Sequence, residues 1–140
     1  MMLERSYFSL LLISSLLLIV VVLPLIRKDQ AGSIPEQTAV RVLVGEAADQ
    51  GMKGMVCVGE VLHLRGSIDG FDGYFSARAN SEPKIIWKMA AKAWEISRYT
   101  HYTKGADHFY DIHLTQPPSW VNDGVFTYRY KDHLFYKIMK

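Results

Sequence analysis

The stretch TAVRVLVGEAADQGMKGMVCVGEVLHLR, residues 38–65, decides the fold. Thr38 reads as an N-cap, and Val40, Leu43, Val44 and Ala47 follow at helical spacing. That pattern predicts a first helix ending near Ala48-Asp49. A second helix is expected from Lys53 to Leu64. Met55, Val56, Cys57, Val58, Val61, Leu62 and Leu64 make it apolar almost all round, broken only by Lys53, Glu60 and His63. A helix apolar on most sides belongs at the centre of a fold.

Gly66 ends this helix. Residues 66–80 then interleave Gly66, Gly70 and Gly73 with Phe71, Tyr74 and Phe75, which reads as a loop whose aromatics cover something. Pro83 suits the first turn of a third helix, with Ile86, Trp87, Ala90, Ala91, Trp94 and Ser97 as its core stripe. Beyond Gly105 the period changes to two. Strands are expected over residues 107–113, 125–130 and 133–138, with Lys131-Asp132 as the turn between the last two. The fold class is α+β: three helices followed by a three-stranded antiparallel sheet.

Upstream the chain changes character. No charge occurs from Tyr7 to Ile26, and Leu16 to Leu23 are wholly aliphatic. As a helix this run would reach about 30 Å, the thickness of a bilayer's hydrocarbon core. Residues 1–28 are therefore expected to be an uncleaved transmembrane signal anchor, since the apolar run is long and small residues (Ala31, Gly32, Ser33) come only after Arg27 and Lys28. Residues 29–37 read as a linker, and residues 38–140 as one domain of modest core. The charge flanking the run slightly favours a cytoplasmic Arg27-Lys28 side. Net charge is +2 over 140 residues, which does not call for a nucleic-acid partner. The single cysteine, Cys57, allows no internal disulfide and sits among valines as a packing residue.

Glu46 stands out because small or aliphatic residues flank it at the end of an apolar helix. Desolvation there would raise its pKa and keep a proton at neutral pH, although a solvated helix-end glutamate is the simpler reading of this segment alone. Glu60 and Lys53, seven apart, read as a solvated helical stripe. His108 and His113, five apart on one strand, would face opposite sides. No histidine spacing suggests a metal, and no motif implies a cofactor. His133, next to a turn, either faces a cleft or holds the turn. Trp120, following Pro117-Pro118-Ser119, would line a sugar groove with Tyr74, Phe75, Tyr110 and Tyr136.

In order and spacing these residues resemble the SleB-type cell-wall hydrolases, or spore cortex-lytic enzymes, in their short phage and bacterial form. The match runs from Glu46-Ala47 through Gly54, Val56, Val58, Val61 and Arg65. It continues with Lys104-Gly105-Ala106-Asp107-His108-Phe109-Tyr110 and Pro118-Ser119-Trp120, and closes on His133-Leu134-Phe135-Tyr136-Lys137. It covers about residues 38–137. Three places differ: Asp49-Gln50 where the family often has Gly-Glu, Leu64 for an asparagine, and Lys131-Asp132 for a Gly-Asn turn.

The resemblance implies a lysozyme-like domain that cleaves peptidoglycan between N-acetylmuramic acid and N-acetylglucosamine. Glu46 would be the catalytic acid, and His108, Tyr110, Trp120, His133, Tyr136 and Tyr74 would contact the glycan. It also implies a domain outside the cytoplasm, against the small charge bias of the anchor. A lytic transglycosylase is favoured because it needs one carboxyl. A muramidase-type hydrolase would need a second, with Asp49, Asp72, Asp107 and Asp123 available. The alternatives are an inactive, membrane-anchored peptidoglycan-binding module and a small membrane protein whose apolar segment is its active part.

Overall fold

A computed structural model describes residues 33–138. The apolar segment 1–28 lies outside the described residues. Among the described residues, no helix is long and apolar enough to cross a membrane.

Helix α1 spans Glu36–Ala47. It starts ahead of Thr38 because Pro35, at φ -56, presets the entry and its carbonyl accepts the Ala39 N–H at 3.0 Å. Glu36 in the first turn suits the positive end of the helix dipole. Ala39, Val40, Val42, Leu43, Val44 and Ala47 are buried. A 3₁₀ turn, Ala48–Gln50, and Gly51 at φ 74 redirect the chain into α2, Gly51–Arg65. Every residue from Gly54 to Leu62 in α2 is buried, as its all-round apolar pattern requires. Gly66 closes α2 in the left-handed region at φ 64, its N–H donating to the Leu62 carbonyl at 3.0 Å.

The expected glycine-aromatic loop is more ordered than its composition suggests. It contains a 3₁₀ turn, Asp72–Phe75, and a short helix α3, Ala77–Ser81. Helix α4 spans Lys84–Ser97, with Pro83 as the residue before it rather than inside its first turn. Ala90, Ala93, Trp94 and Ser97 are its buried stripe, while Ile86, Trp87 and Ala91 are half-buried. Helices α2 and α4 cross closely at Gly59, where an added Cβ would lie 2.6 Å from the Ser97 Oγ.

Glu60 is not on a solvated stripe. It is 8% exposed, and its carboxylate accepts the N–H groups of Tyr102 (2.9 Å) and Thr103 (2.8 Å) and the Thr103 hydroxyl (2.8 Å). The segment after α4 folds back over α2 and brings those donors, so the side of α2 that carries Glu60 is covered. Lys53 remains exposed, its ammonium 4.6 Å from the centre of the Tyr102 ring.

Three strands follow: β1 His108–Asp111, β2 Gly124–Tyr130 and β3 His133–Ile138, in the antiparallel order β1-β3-β2. Strand β1 stops at Asp111 because its partner there, His133, is the first residue of β3. His113 therefore lies outside the strand, and alternation does not set its direction. Lys131, in the two-residue β2–β3 turn, adopts φ 47, a conformation glycine takes more readily. Thr127 is the extra residue of a bulge in β2, and its hydroxyl donates to the carbonyls of Thr103 (2.8 Å) and Phe135 (3.2 Å). Phe109, His133 and Phe135 share the sheet face that meets the helical core. His108, Tyr110, Leu134 and Tyr136 share the other.

Candidate functional site

Glu46 closes α1 against the Asp72–Phe75 turn. Two glycines make this approach possible. A Cβ on Gly45 would collide with the Gly73 backbone, and one on Gly73 would lie 2.6 Å from the Glu46 Cγ and 2.7 Å from its backbone nitrogen. Gly73 does not have a positive φ, so its lack of a side chain matters for space rather than for conformation. With nothing between the two segments, the Gly73 N–H donates to the Glu46 Oε1 at 2.6 Å.

Arg41, five residues before on α1, fixes the same turn. Its Nε donates to the Tyr74 carbonyl at 2.7 Å, and its guanidinium lies 5.8 Å from the centre of the Tyr74 ring. Phe71, buried at the turn's entrance, anchors it to the core.

The electrostatics of Glu46 suit an acid. Burial pushes its carboxyl above the ordinary value of 4.5; the Gly73 hydrogen bond works in the other direction, and the negative charge of Asp72 adds to the upward push. Among the described residues, the Gly73 N–H is the one hydrogen-bond donor to this carboxyl, and its second oxygen is not among the buried atoms left without a partner. Glu46 is half-buried, with one oxygen held and one open.

The residues expected to form one groove with Glu46 fall in three places. Tyr74 is next to it, on the turn. His108, Tyr110, Trp120 and Tyr136 gather on the sheet face turned away from the helices. Trp120 comes from the 3₁₀ turn Ser119–Asp123 and lies edge-on to Tyr136 (ring centres 5.7 Å apart) and Tyr110 (6.0 Å), with His108 tilted at 4.9 Å. The His108 Nδ1 is 2.9 Å from the Asp107 Oδ1, and Asp107 also accepts the Ile138 N–H at 2.9 Å. Burial alone would raise Asp107, but these bonds hold its carboxyl below the usual range.

His133 is the third place. It is 2% exposed on the core side of the sheet, its ring centre 5.0 Å from that of Phe109. Its Nδ1 is buried without a hydrogen-bond partner. Burial holds its pKa down, opposed by the nearby charges of Asp111, Asp49 and Asp132. Strand alternation thus turns His133 inward, away from Tyr136, and takes it out of the aromatic face.

Gln50 is a neighbour that spacing did not single out. It is buried, and its amide donates to Asp49 (3.0 Å) and Asp132 (3.4 Å) while its carbonyl accepts the Asp132 N–H at 3.3 Å. It ties the end of α1 to the β2–β3 turn. Among the described residues, no group of three His, Cys, Asp or Glu side chains converges as a metal site. Comparison with protein-family models, with curated proteins and with solved structures finds no match to this chain.

Proposed function

We propose that this is a lysozyme-like domain that cleaves the glycan strands of peptidoglycan between N-acetylmuramic acid and N-acetylglucosamine, with Glu46 as the acid. It acts as a lytic transglycosylase, held to the membrane by its N-terminal apolar segment with the domain on the extracytoplasmic side. The observation that carries the reading is the state of Glu46: half-buried, pushed toward its protonated form, pinned by one backbone N–H and otherwise open. A glycosidic acid needs its proton at neutral pH and a free oxygen aimed at the leaving group.

Protonated Glu46 gives its proton to the glycosidic oxygen as the bond to the muramic anomeric carbon breaks. The carboxylate so formed takes the proton of the muramic C6 hydroxyl while that oxygen bonds to the anomeric carbon and closes an anhydro ring. Protons balance, no water is consumed, and one carboxyl serves both steps. The Gly73 N–H stabilises the intermediate carboxylate. Tyr74 contacts the glycan beside Glu46, and His108, Tyr110, Trp120 and Tyr136 offer a second aromatic surface to the strand.

A hydrolase is the second reading, and one observation favours it. Asp72 is a second carboxyl on the same turn, adjacent in the chain to the Gly73 that binds Glu46. The deciding experiment digests purified peptidoglycan with the full-length protein and reads the products by mass spectrometry. Anhydro-muramic ends support the transglycosylase, and reducing ends the Asp72-assisted hydrolase. Binding without products leaves an inactive glycan-binding module.

A further inference from the structure

The turn that holds Glu46 also carries an aromatic ring that the proposed proton transfers do not use. Phe75 is 79% exposed on the turn Asp72–Phe75. It is two residues beyond Gly73, so its Cα lies within about 7 Å of the Cα of the residue that binds Glu46. Lone exposed apolar residues are common and usually mean nothing. Here three observations set Phe75 apart.

First, its support is fixed: the Ser76 N–H donates to the Gly73 carbonyl at 3.1 Å, and the preceding carbonyl is held by Arg41. Second, Tyr74 stands perpendicular to it, with ring centres 5.1 Å apart, and restrains the ring without covering it. Third, the same turn positions the acid through Gly73. An aromatic ring carried on a hydrogen-bonded backbone leaves less freedom to be lost when a ligand stacks on it than one on an unsupported loop.

We propose that Phe75 is a glycan-binding residue that stacks on the apolar face of the pyranose next to the bond Glu46 protonates. This rests on the reading of Glu46 as the acid of a glycan-cleaving site, and deepens it by assigning a sugar-stacking position. Phe75 supplies binding that is equal in ground and transition states, so its loss is felt in affinity rather than in the chemical step.

The test separates the two. Affinity for peptide-free peptidoglycan glycan strands is measured by calorimetry on full-length Glu46→Gln and on Glu46→Gln/Phe75→Ala, where no cleavage interferes. The dissociation constant is expected to rise roughly tenfold on removing Phe75, and to return with Phe75→Trp. The melting temperature should stay unchanged, since little of the ring is buried. Equal affinity of the two proteins overturns the assignment of Phe75. So does an affinity loss that Phe75→Trp fails to restore or that accompanies a lower melting temperature. A wild-type protein that cleaves nothing, with the affinity difference intact, overturns the catalytic reading of Glu46 and leaves Phe75 standing as a binding residue.

Discussion

Glu46 and Glu60 are each set among apolar neighbours in a helix, and each accepts hydrogen bonds from a distant loop. Glu60 takes three, which use both of its oxygens. Glu46 takes one, on one oxygen, and burial pushes its pKa up. Hydrogen bonds to a charged group are worth about 1.5–3 kcal/mol each, so three of them compensate a buried carboxylate and one does not. Glu60 is a structural clasp that holds the segment after α4 to α2. Glu46 keeps one oxygen open, the arrangement that the proposed acid requires. Apolar flanks are common to both, and it is the number of donors that separates them.

The contrast breaks most visibly in activity. Glu46→Gln should lower glycan cleavage by roughly 100-fold or more, the usual contribution of a general acid. Release of soluble muropeptides per folded molecule measures this. Glu60→Gln, assayed the same way, should retain activity in proportion to the folded fraction.

Stability gives the next effect, and it runs the other way. Glu60→Ala strands the buried N–H and hydroxyl of Thr103 and the part-buried N–H of Tyr102, and should cost about 3 kcal/mol or more in urea unfolding. For Glu46 the sign reverses. Its folded-state pKa lies above the unfolded value, so the linked stability is present below about pH 4.5 and is lost as pH rises through the folded pKa. Glu46→Gln carries no such loss and should be more stable than wild type near neutral pH, by about 1 kcal/mol.

Gly73→Ala tests how Glu46 is held. The new methyl would push the turn off α1, at a cost of about 1–3 kcal/mol, and should reduce cleavage on the order of 100-fold through misplacement of the acid. The smallest effect belongs to Asp72→Asn. Removing that negative charge lowers the Glu46 pKa, so the alkaline limb of the cleavage pH profile should move to lower pH. An unchanged limb would mean that Asp72 does not act on Glu46.

Much of the architecture was legible from periodicity. The all-round apolar run of α2, the alternation of β3 and the Lys131-Asp132 turn are where the spacing put them, since each is a local pattern; in β2 the Thr127 bulge breaks the expected period of two and puts Phe126 on the Tyr136 face and Tyr128 on the Phe135 face. What escaped was long-range. Glu60 looked solvated because its donors, Tyr102 and Thr103, lie some forty residues on, in a segment whose path no local pattern encodes. The Gly45–Gly73 contact is similar: neither glycine signals the other, and only the fold puts them face to face. His133 was open between two roles until the register with Asp111 fixed which face it takes. The aromatic residues were recognisable as a set, but not as two sets on different surfaces. The places where the chain departs from the resembled pattern also become clearer. Gln50 and Asp132, from two of the three departures, are hydrogen-bonded to each other.

The central claim, that Glu46 is the carboxyl left free to hold and release a proton, is tested most directly by titrating its side-chain carbon in NMR spectra of the isotope-labelled protein, with Glu46→Gln identifying the signal. A midpoint above 4.5 is the predicted result. A midpoint at or below the ordinary glutamate value would contradict the account.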